Sequence, residues 1–474
     1  MTTRQSAEHM THIAAPFTAQ AATVAGFTAT IATWVVWWVT HLPGLAVPSQ
    51  WAAAILTLTL VISLLWVSRR ARHPFRVALF GGLITGTLNL LILGSILGEQ
   101  ADSADAMATA ANRFRAEAPT IILGYLLVTT LGGVIAGGLA ASFPSRPATP
   151  RPGVWLGRFA IVVVASFFPL LFIGGAVTGT ESGMAVPDSV TSYGAFSALL
   201  PLSMMAEPRI FLEHTHRLFG TLVGLNAIAL VVFAFAIERR KVPKVFTVVL
   251  LLLVITQGVF GAIRVGAVSS GLAAVHGVFA QLVLAFAIIT ACKLSPLDRE
   301  QAEARGSTRA DTVSDRTVHA ARRGVRFTHL AAVAILIQLI FGALGRHLPN
   351  GSHAVWAHAG FSIVVVLLVV ISAAVMRSAT PESREGRLLR RVGLLLTIGV
   401  FCQFVLGFMA LWQVGVGGAT EPILLADQLA EARTIDPLET VITTAHQTIG
   451  ASLFAGIAAA VYWTKRITRA HQSF

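Results

Sequence analysis

Residues 245–263 read Val245-Phe-Thr-Val-Val-Leu-Leu-Leu-Leu-Val-Ile-Thr-Gln-Gly-Val-Phe-Gly-Ala-Ile263, with Lys244 before them and Arg264 after. An uncharged apolar run of about 20 residues is what a helix needs to cross a hydrocarbon layer of about 30 Å. The run does not alternate apolar with polar, as a strand of an outer-membrane barrel would. The rest of the chain repeats the pattern. Of 474 residues, 55% are hydrophobic and 12% charged, with a mean hydropathy of +0.74. Soluble domains carry about 25% charged residues, so the composition excludes an ordinary soluble enzyme and a disordered chain. Twelve spans are expected, near 24–44, 51–68, 76–97, 119–142, 155–178, 209–236, 245–267, 271–292, 326–346, 353–376, 388–413 and 440–463. The fold class is an all-α polytopic membrane protein.

Charge tests this drawing. With the N-terminus inside and strict alternation, 28 of the 35 Lys and Arg fall in inner segments and 6 in outer ones, while Arg217 lies within a span. The acids run the other way, 9 inside and 13 outside. Inner loops of membrane proteins collect Lys and Arg, so the asymmetry supports twelve helices with both termini cytoplasmic. The net charge of +13 then reflects topology, and no nucleic-acid partner is expected. Residues 1–20 carry Arg4 and Glu8 and lack a short apolar core, so no cleaved signal is expected. An Arg-rich transit peptide is also missing, which favours a bacterial cytoplasmic (inner) membrane.

A linker over residues 143–158, rich in Pro and Arg, separates four leading spans from eight trailing ones. The trailing spans carry a repeat: Gln257-Gly-Val-Phe-Gly261, Gln338-Leu-Ile-Phe-Gly342 and Gln403-Phe-Val-Leu-Gly407, with Leu170-Leu-Phe-Ile-Gly174 as a relative lacking Gln. Gly lets helices approach closely and Gln can hydrogen-bond across them. The expected organisation is a four-helix membrane extension over 1–150, a first four-helix bundle over 151–295 and a second over 296–474. The two cysteines, Cys292 and Cys402, form no CxxC and read as buried thiols.

His216, His276, His358 and His446 each sit near the outer start of a span that runs inward. At 1.5 Å per residue this places them about 8–10 Å below the outer boundary. A lone buried His is usually a packing residue, but four at one depth on co-oriented helices suggest ligands. Two pairs fit two bis-His haem sites better than a bare metal, because no second carboxylate or thiolate shares that depth. Gly220, Gly277, Gly360 and Gly450 accompany them and would give a flat macrocycle clearance. Glu213-His214-Thr215-His216-Arg217 is the most specific cluster. Glu213 shares a helix face with His216 and is spaced to pair with Arg217; the alternative is a snorkelling ion pair. His214 points some 200° away from His216 and is secondary. Arg264 and Arg346 end spans on the outer side, against the charge trend, and suit either carboxylate partners or a plain interfacial position. His347 and His353 are expected to be solvated.

Residues 155–465 resemble the haem A synthase family of cytochrome oxidase assembly. The resemblance rests on Glu213-x-x-His216-Arg217, on the preceding segment Thr178-Gly-Thr-Glu-Ser-Gly183-Met-Ala-Val-Pro187-Asp188, and on His276, His358 and His446. It implies a substrate haem O held by His216 and His276, a haem b held by His358 and His446, and Glu213 as the catalytic carboxylate. The implied reaction is stepwise oxidation of the C8 methyl of haem O, through an alcohol, to the formyl group of haem A. Arg217, Arg264 and Arg346 would serve propionates or support. Implied partners are the bilayer, a haem O synthase, oxidase assembly factors and an electron acceptor, for which a quinone is one option. The chain departs from the family in having Ser189 after Asp188 where Trp is frequent, in lacking outer-loop Cys, and in the unmatched residues 1–150. A di-haem electron-transfer protein without substrate oxidation is the alternative reading, and a transporter is a weaker one. Glu213 beside His216 favours the enzyme, since an electron conduit needs no carboxylate there.

Overall fold

The computed structural model describes residues 2–471 except 46, 100–112, 144–152, 195, 305–312, 349–350, 416–427 and 429–432. Most of the expected linker and most of the loop 99–117 therefore lie outside the described residues. The described residues form thirteen α-helices and no strand. They are α1 (Thr2–Thr40), α2 (Ser49–Ser68), α3 (Pro74–Ile92), α4 (Ala118–Ser142), α5 (Val154–Gly179), α6 (Pro208–Ile237), α7 (Lys241–Gly266), α8 (Ser270–Leu294), α9 (Pro296–Ala304), α10 (Asp315–His347), α11 (Ser352–Arg377), α12 (Arg384–Val414) and α13 (Pro437–Ala470). Among the described residues, eleven helices are long and apolar enough to cross a membrane. The chain is an all-α polytopic membrane protein. The twelfth expected span corresponds to α13, which has 34 residues. Thr443, Thr444, His446, Gln447 and Thr448 thin its apolar run, so it does not join the eleven on composition.

Boundaries follow local chemistry. Pro opens α3, α4 and α6 within the first turn, where its missing N–H costs nothing. Ser383 caps α12 by accepting from Gly386 N at 3.0 Å, and the Asp436 carboxylate caps α13.

The chain divides into two compact units. The first comprises Met1–Pro169 and Val186–Lys244, the second Leu170–Ala185 and Val245–Phe474. In the first unit α3 packs against α1 and α4 with little side chain between. A Cβ at Gly82 would come within 2.4 Å of the Thr129 carbonyl, and one at Gly133 within 2.5 Å of the Ala78 carbonyl. Thr85 donates across to the Gly26 carbonyl at 3.1 Å, and the Asn89 amide donates to the Tyr125 hydroxyl at 2.9 Å. Such small-residue contacts replace the hydrophobic drive that helices lack in lipid. Leu58 on α2 and Leu123 and Leu127 on α4 are exposed, as suits faces turned to acyl chains. The extension is joined to the helices that follow it. Phe27 meets Phe159 of α5 edge-on at 5.1 Å, and Trp34 meets Phe219 of α6 at 5.7 Å.

In the second unit, the core between α10, α11, α12 and α13 is built from Ile335, Val369, Leu396, Phe454 and Ile457, among others. One end is fastened by polar contacts. Asp298 of α9, buried, accepts from Arg466 Nε at 2.7 Å and from the Tyr462 hydroxyl at 2.5 Å. A buried charge this close to its partner is costly to break.

Candidate functional site

Helix α6 begins with Pro208, and the Glu207 side chain accepts from Ile210 N at 2.7 Å. The helix therefore starts one turn before Glu213, whose carboxylate is buried at 4% exposure. Oε1 pairs with Arg217 Nη2 at 2.7 Å. Oε2 accepts from Val186 N, also at 2.7 Å. Arg217 donates further to the carbonyls of Thr191 and Val186, at 2.9 and 3.2 Å. The expected pairing of Glu213 with Arg217 is present. Its anchoring to the segment 186–191 joins residues 27 positions apart and had no local signal. The Asp188 carboxylate holds the same loop by accepting from Thr191 and Gly194 N. Burial pushes the pKa of the Tyr193 hydroxyl up, and the carboxylates of Glu213, Glu207 and Asp188 add to the effect against Arg217.

His216 lies half-buried one turn past Glu213, whereas His214 is fully buried, with no hydrogen bond to either ring nitrogen. Sequence reasoning set His214 aside because of its angle to His216. Its neighbours Glu213 and Thr215 are also buried. Thr215 faces α1, where its hydroxyl accepts from Trp38 Nε1 at 3.2 Å.

The remaining three candidate ligands, His276, His358 and His446, belong to the second unit. His276 on α8 has Gln257 Nε2 within 3.2 Å of both ring nitrogens and donating to its carbonyl at 3.1 Å. His358 on α11 and His446 on α13 face each other, with ring centroids 6.0 Å apart and planes inclined by 75°. Each of the three rings lies over a repeat glycine. A Cβ would come 3.1, 3.0 and 3.1 Å from the ring Cε1 at Gly261, Gly342 and Gly407 respectively. A Cβ at Gly220, Gly277 or Gly360 would meet no atom within 4 Å, whereas Gly450 packs on Gln403. Arg264 donates to the Gly183 carbonyl at 2.7 Å and Arg346 to that of Thr178 at 2.8 Å, so both tie down the C-terminal end of α5 and the residues just after it. His353 is exposed, as expected for a solvated residue, whereas His347 is half-buried in the last turn of α10. Cys292 and Cys402 are free.

An ion-paired carboxylate thus stands one turn ahead of a His in a chain of long apolar helices. Residues 157–360 match the COX15-CtaA family. That family is described as cytochrome oxidase assembly protein. The COX15-CtaA segment takes in Glu213, His216, Arg217, His276 and His358 and ends before His446. The matched segment spans 204 of the 474 residues, less than half of the chain, and agrees with the resemblance read from the motif. Neither the curated proteins nor the solved structures yielded a match.

Proposed function

We propose that the chain is a haem A synthase-like oxidoreductase that converts the C8 methyl of haem O to the formyl group of haem A. The carrying observation is Glu213, clamped by Arg217 and Val186 N one turn ahead of His216. A fixed, buried carboxylate can accept a proton from a reacting methyl or stabilise positive charge developing there. Arg217 orients that carboxylate and ties it to the loop after Val186, which keeps water from competing for its oxygens. His216 and His276 keep the substrate-ligand roles that the resemblance implies, with Arg217, Arg264 and Arg346 as support.

His358 and His446 would hold haem b. Two imidazoles bound to one metal at about 2.0 Å place their ring centres roughly 6 Å apart, which the observed 6.0 Å fits. The open space beside Gly360 agrees with a flat ligand. When bound, that haem supplies one-electron transfer away from the substrate. The chain would work in a bacterial cytoplasmic membrane, with both termini inside and the haem sites toward the outer side. A haem O synthase, oxidase assembly factors and an electron acceptor such as a quinone would be its partners.

The facing pair His358 and His446 would equally serve a di-haem electron-transfer protein, the second reading. Co-expression with a haem O synthase, followed by pigment extraction and chromatography, separates the two. Haem A in the extract is expected. Folded protein yielding only haems B and O would leave the electron-transfer reading standing.

A further inference from the structure

We propose that the four-helix extension serves the site: the turn Gly94–Gly98, which follows α3, clamps the loop after Val186, and Ser95 within it is a positioning residue for Glu213. The inference rests on the catalytic role of Glu213 given above. Glu213 is fixed from two sides, by its own helix through Arg217 and by the loop through Val186 N. A carboxylate held in this way is only as well placed as the loop that carries the amide. Between α5 and α6 the described residues form only two short 3-10 turns, Ser197–Leu199 and Leu202–Ala206. A connection this long and this irregular needs fastening if it is to hold one geometry.

Part of the fastening comes from the loop itself. Asp188 accepts from Thr191 and from Gly194 N, and the Ser197 hydroxyl donates to the Val190 carbonyl at 3.0 Å. A second part comes from the extension. Ser95 is fully buried, and its hydroxyl donates to the Ala198 carbonyl at 3.1 Å, joining residues 103 positions apart. Gly94 makes the approach possible, since a Cβ there would come 3.0 Å from the same carbonyl and 3.1 Å from Leu199 Cδ2. A Cβ at Gly98 would come 3.4 Å from the Leu199 carbonyl. The clamp is itself stiffened, because Glu99 N donates to the Arg113 carbonyl and Arg115 N to the Leu97 carbonyl, both at 3.0 Å.

These contacts run in series. Ser95 holds residue 198, Ser197 holds residue 190, Arg217 holds residue 191 and Glu213 holds residue 186. Release at Ser95 therefore reaches Val186 through the loop. The ring contacts of Phe27 and Trp34 already join the extension to α5 and α6. The Ser95 bond instead sets where the loop backbone lies, because a hydrogen bond is directional. With Trp38 bonded to Thr215, the extension grips both the helix that carries Glu213 and the loop that carries its second partner.

Full-length protein carrying Ser95→Ala, Gly94→Ala or Tyr125→Phe tests this by two readouts. One is hydrogen exchange of peptides covering residues 186–194, measured in detergent. The other is the haem A share of pigment extracted after co-expression with a haem O synthase. Ser95→Ala should quicken exchange roughly 2–10-fold, the loss of one neutral hydrogen bond, and lower the haem A share at least about 2-fold. Gly94→Ala keeps the hydroxyl but crowds the Ala198 carbonyl, and should act in the same direction. Tyr125→Phe removes a bond of similar kind, to Asn89, between α3 and α4 and away from the loop, so it should move neither readout. Unchanged exchange in Ser95→Ala, or quickened exchange with an unchanged haem A share, would overturn the inference. So would equal effects in Tyr125→Phe, because the extension would then act through stability alone. If Ser95→Ala does not fold, Gly94→Ala decides on the same two readouts. No haem A from the unaltered protein would instead refute the parent reading of Glu213, and this inference with it.

Discussion

Glu213 has two carboxylate oxygens and a separate partner for each, so its position is fixed before any substrate arrives. Glu213→Ala should therefore keep haem bound, because no ligand is lost, but yield no formyl product on chromatography of extracted pigment. Unchanged product would remove Glu213 from the chemistry. A second residue is strained where nothing catalytic is at stake. Val268, in the turn between α7 and α8, has φ 47°, a left-handed conformation that a β-branched side chain tolerates badly. Its side chain is exposed, so little packing is lost on removal. Val268→Gly should raise stability by about 1 kcal/mol, since the left-handed region costs an ordinary residue roughly 1–2 kcal/mol and Gly returns part of that in chain entropy. Thermal unfolding in detergent checks it. A lower midpoint would mean that the turn is held for another reason. These two residues differ in how well sequence reveals them. Glu213, His216 and Arg217 lie within one helical turn, so their shared face could be read from spacing alone. The strain at Val268 depends on how two helices close a turn, and nothing in the composition of that turn announces it.

Helices show the same division. Apolar run length and charge bias placed every long helix to within a few residues, except that α1, the N-terminal end of α10 and the C-terminal end of α13 extend well past the bilayer-length runs. Lateral contacts were not legible, because they join residues far apart in sequence. Gln257 and His276 are 19 residues apart, Gln403 and His446 are 43 apart, and Trp38 and Thr215 are 177 apart. The last pair gives α1 a function that its sequence did not suggest. Trp34 and Trp38 brace the back of α6, the helix that carries Glu213 and His216. Trp38→Phe keeps an aromatic ring but deletes the N–H donor together with the buried five-membered ring, and should lower stability by at least the roughly 0.5–1.5 kcal/mol of the hydrogen bond. Thr215→Ser keeps the acceptor and should cost less. If the two variants unfold at the same midpoint, the hydrogen bond is not what joins α1 to α6.

For the molecule as a membrane protein, the asymmetric distribution of Lys and Arg predicts which loops face which compartment. Ser189 and Ser378 are both exposed and lie in loops expected on opposite sides. After replacement of Cys292 and Cys402, an impermeant maleimide should label Ser189→Cys in intact cells and Ser378→Cys only after permeabilisation. The reverse pattern would reject the orientation. The brace between Trp38 and Thr215 also bears on how the chain is made. Trp38 leaves the ribosome 177 residues ahead of Thr215. At roughly 5–20 residues per second, that is a delay of about 10–35 s. For that interval the aromatic face of α1 is inserted but has no protein partner, and only lipid, an insertase or a chaperone can cover it. The newborn protein is thus exposed to mispairing at its first helix until its sixth arrives.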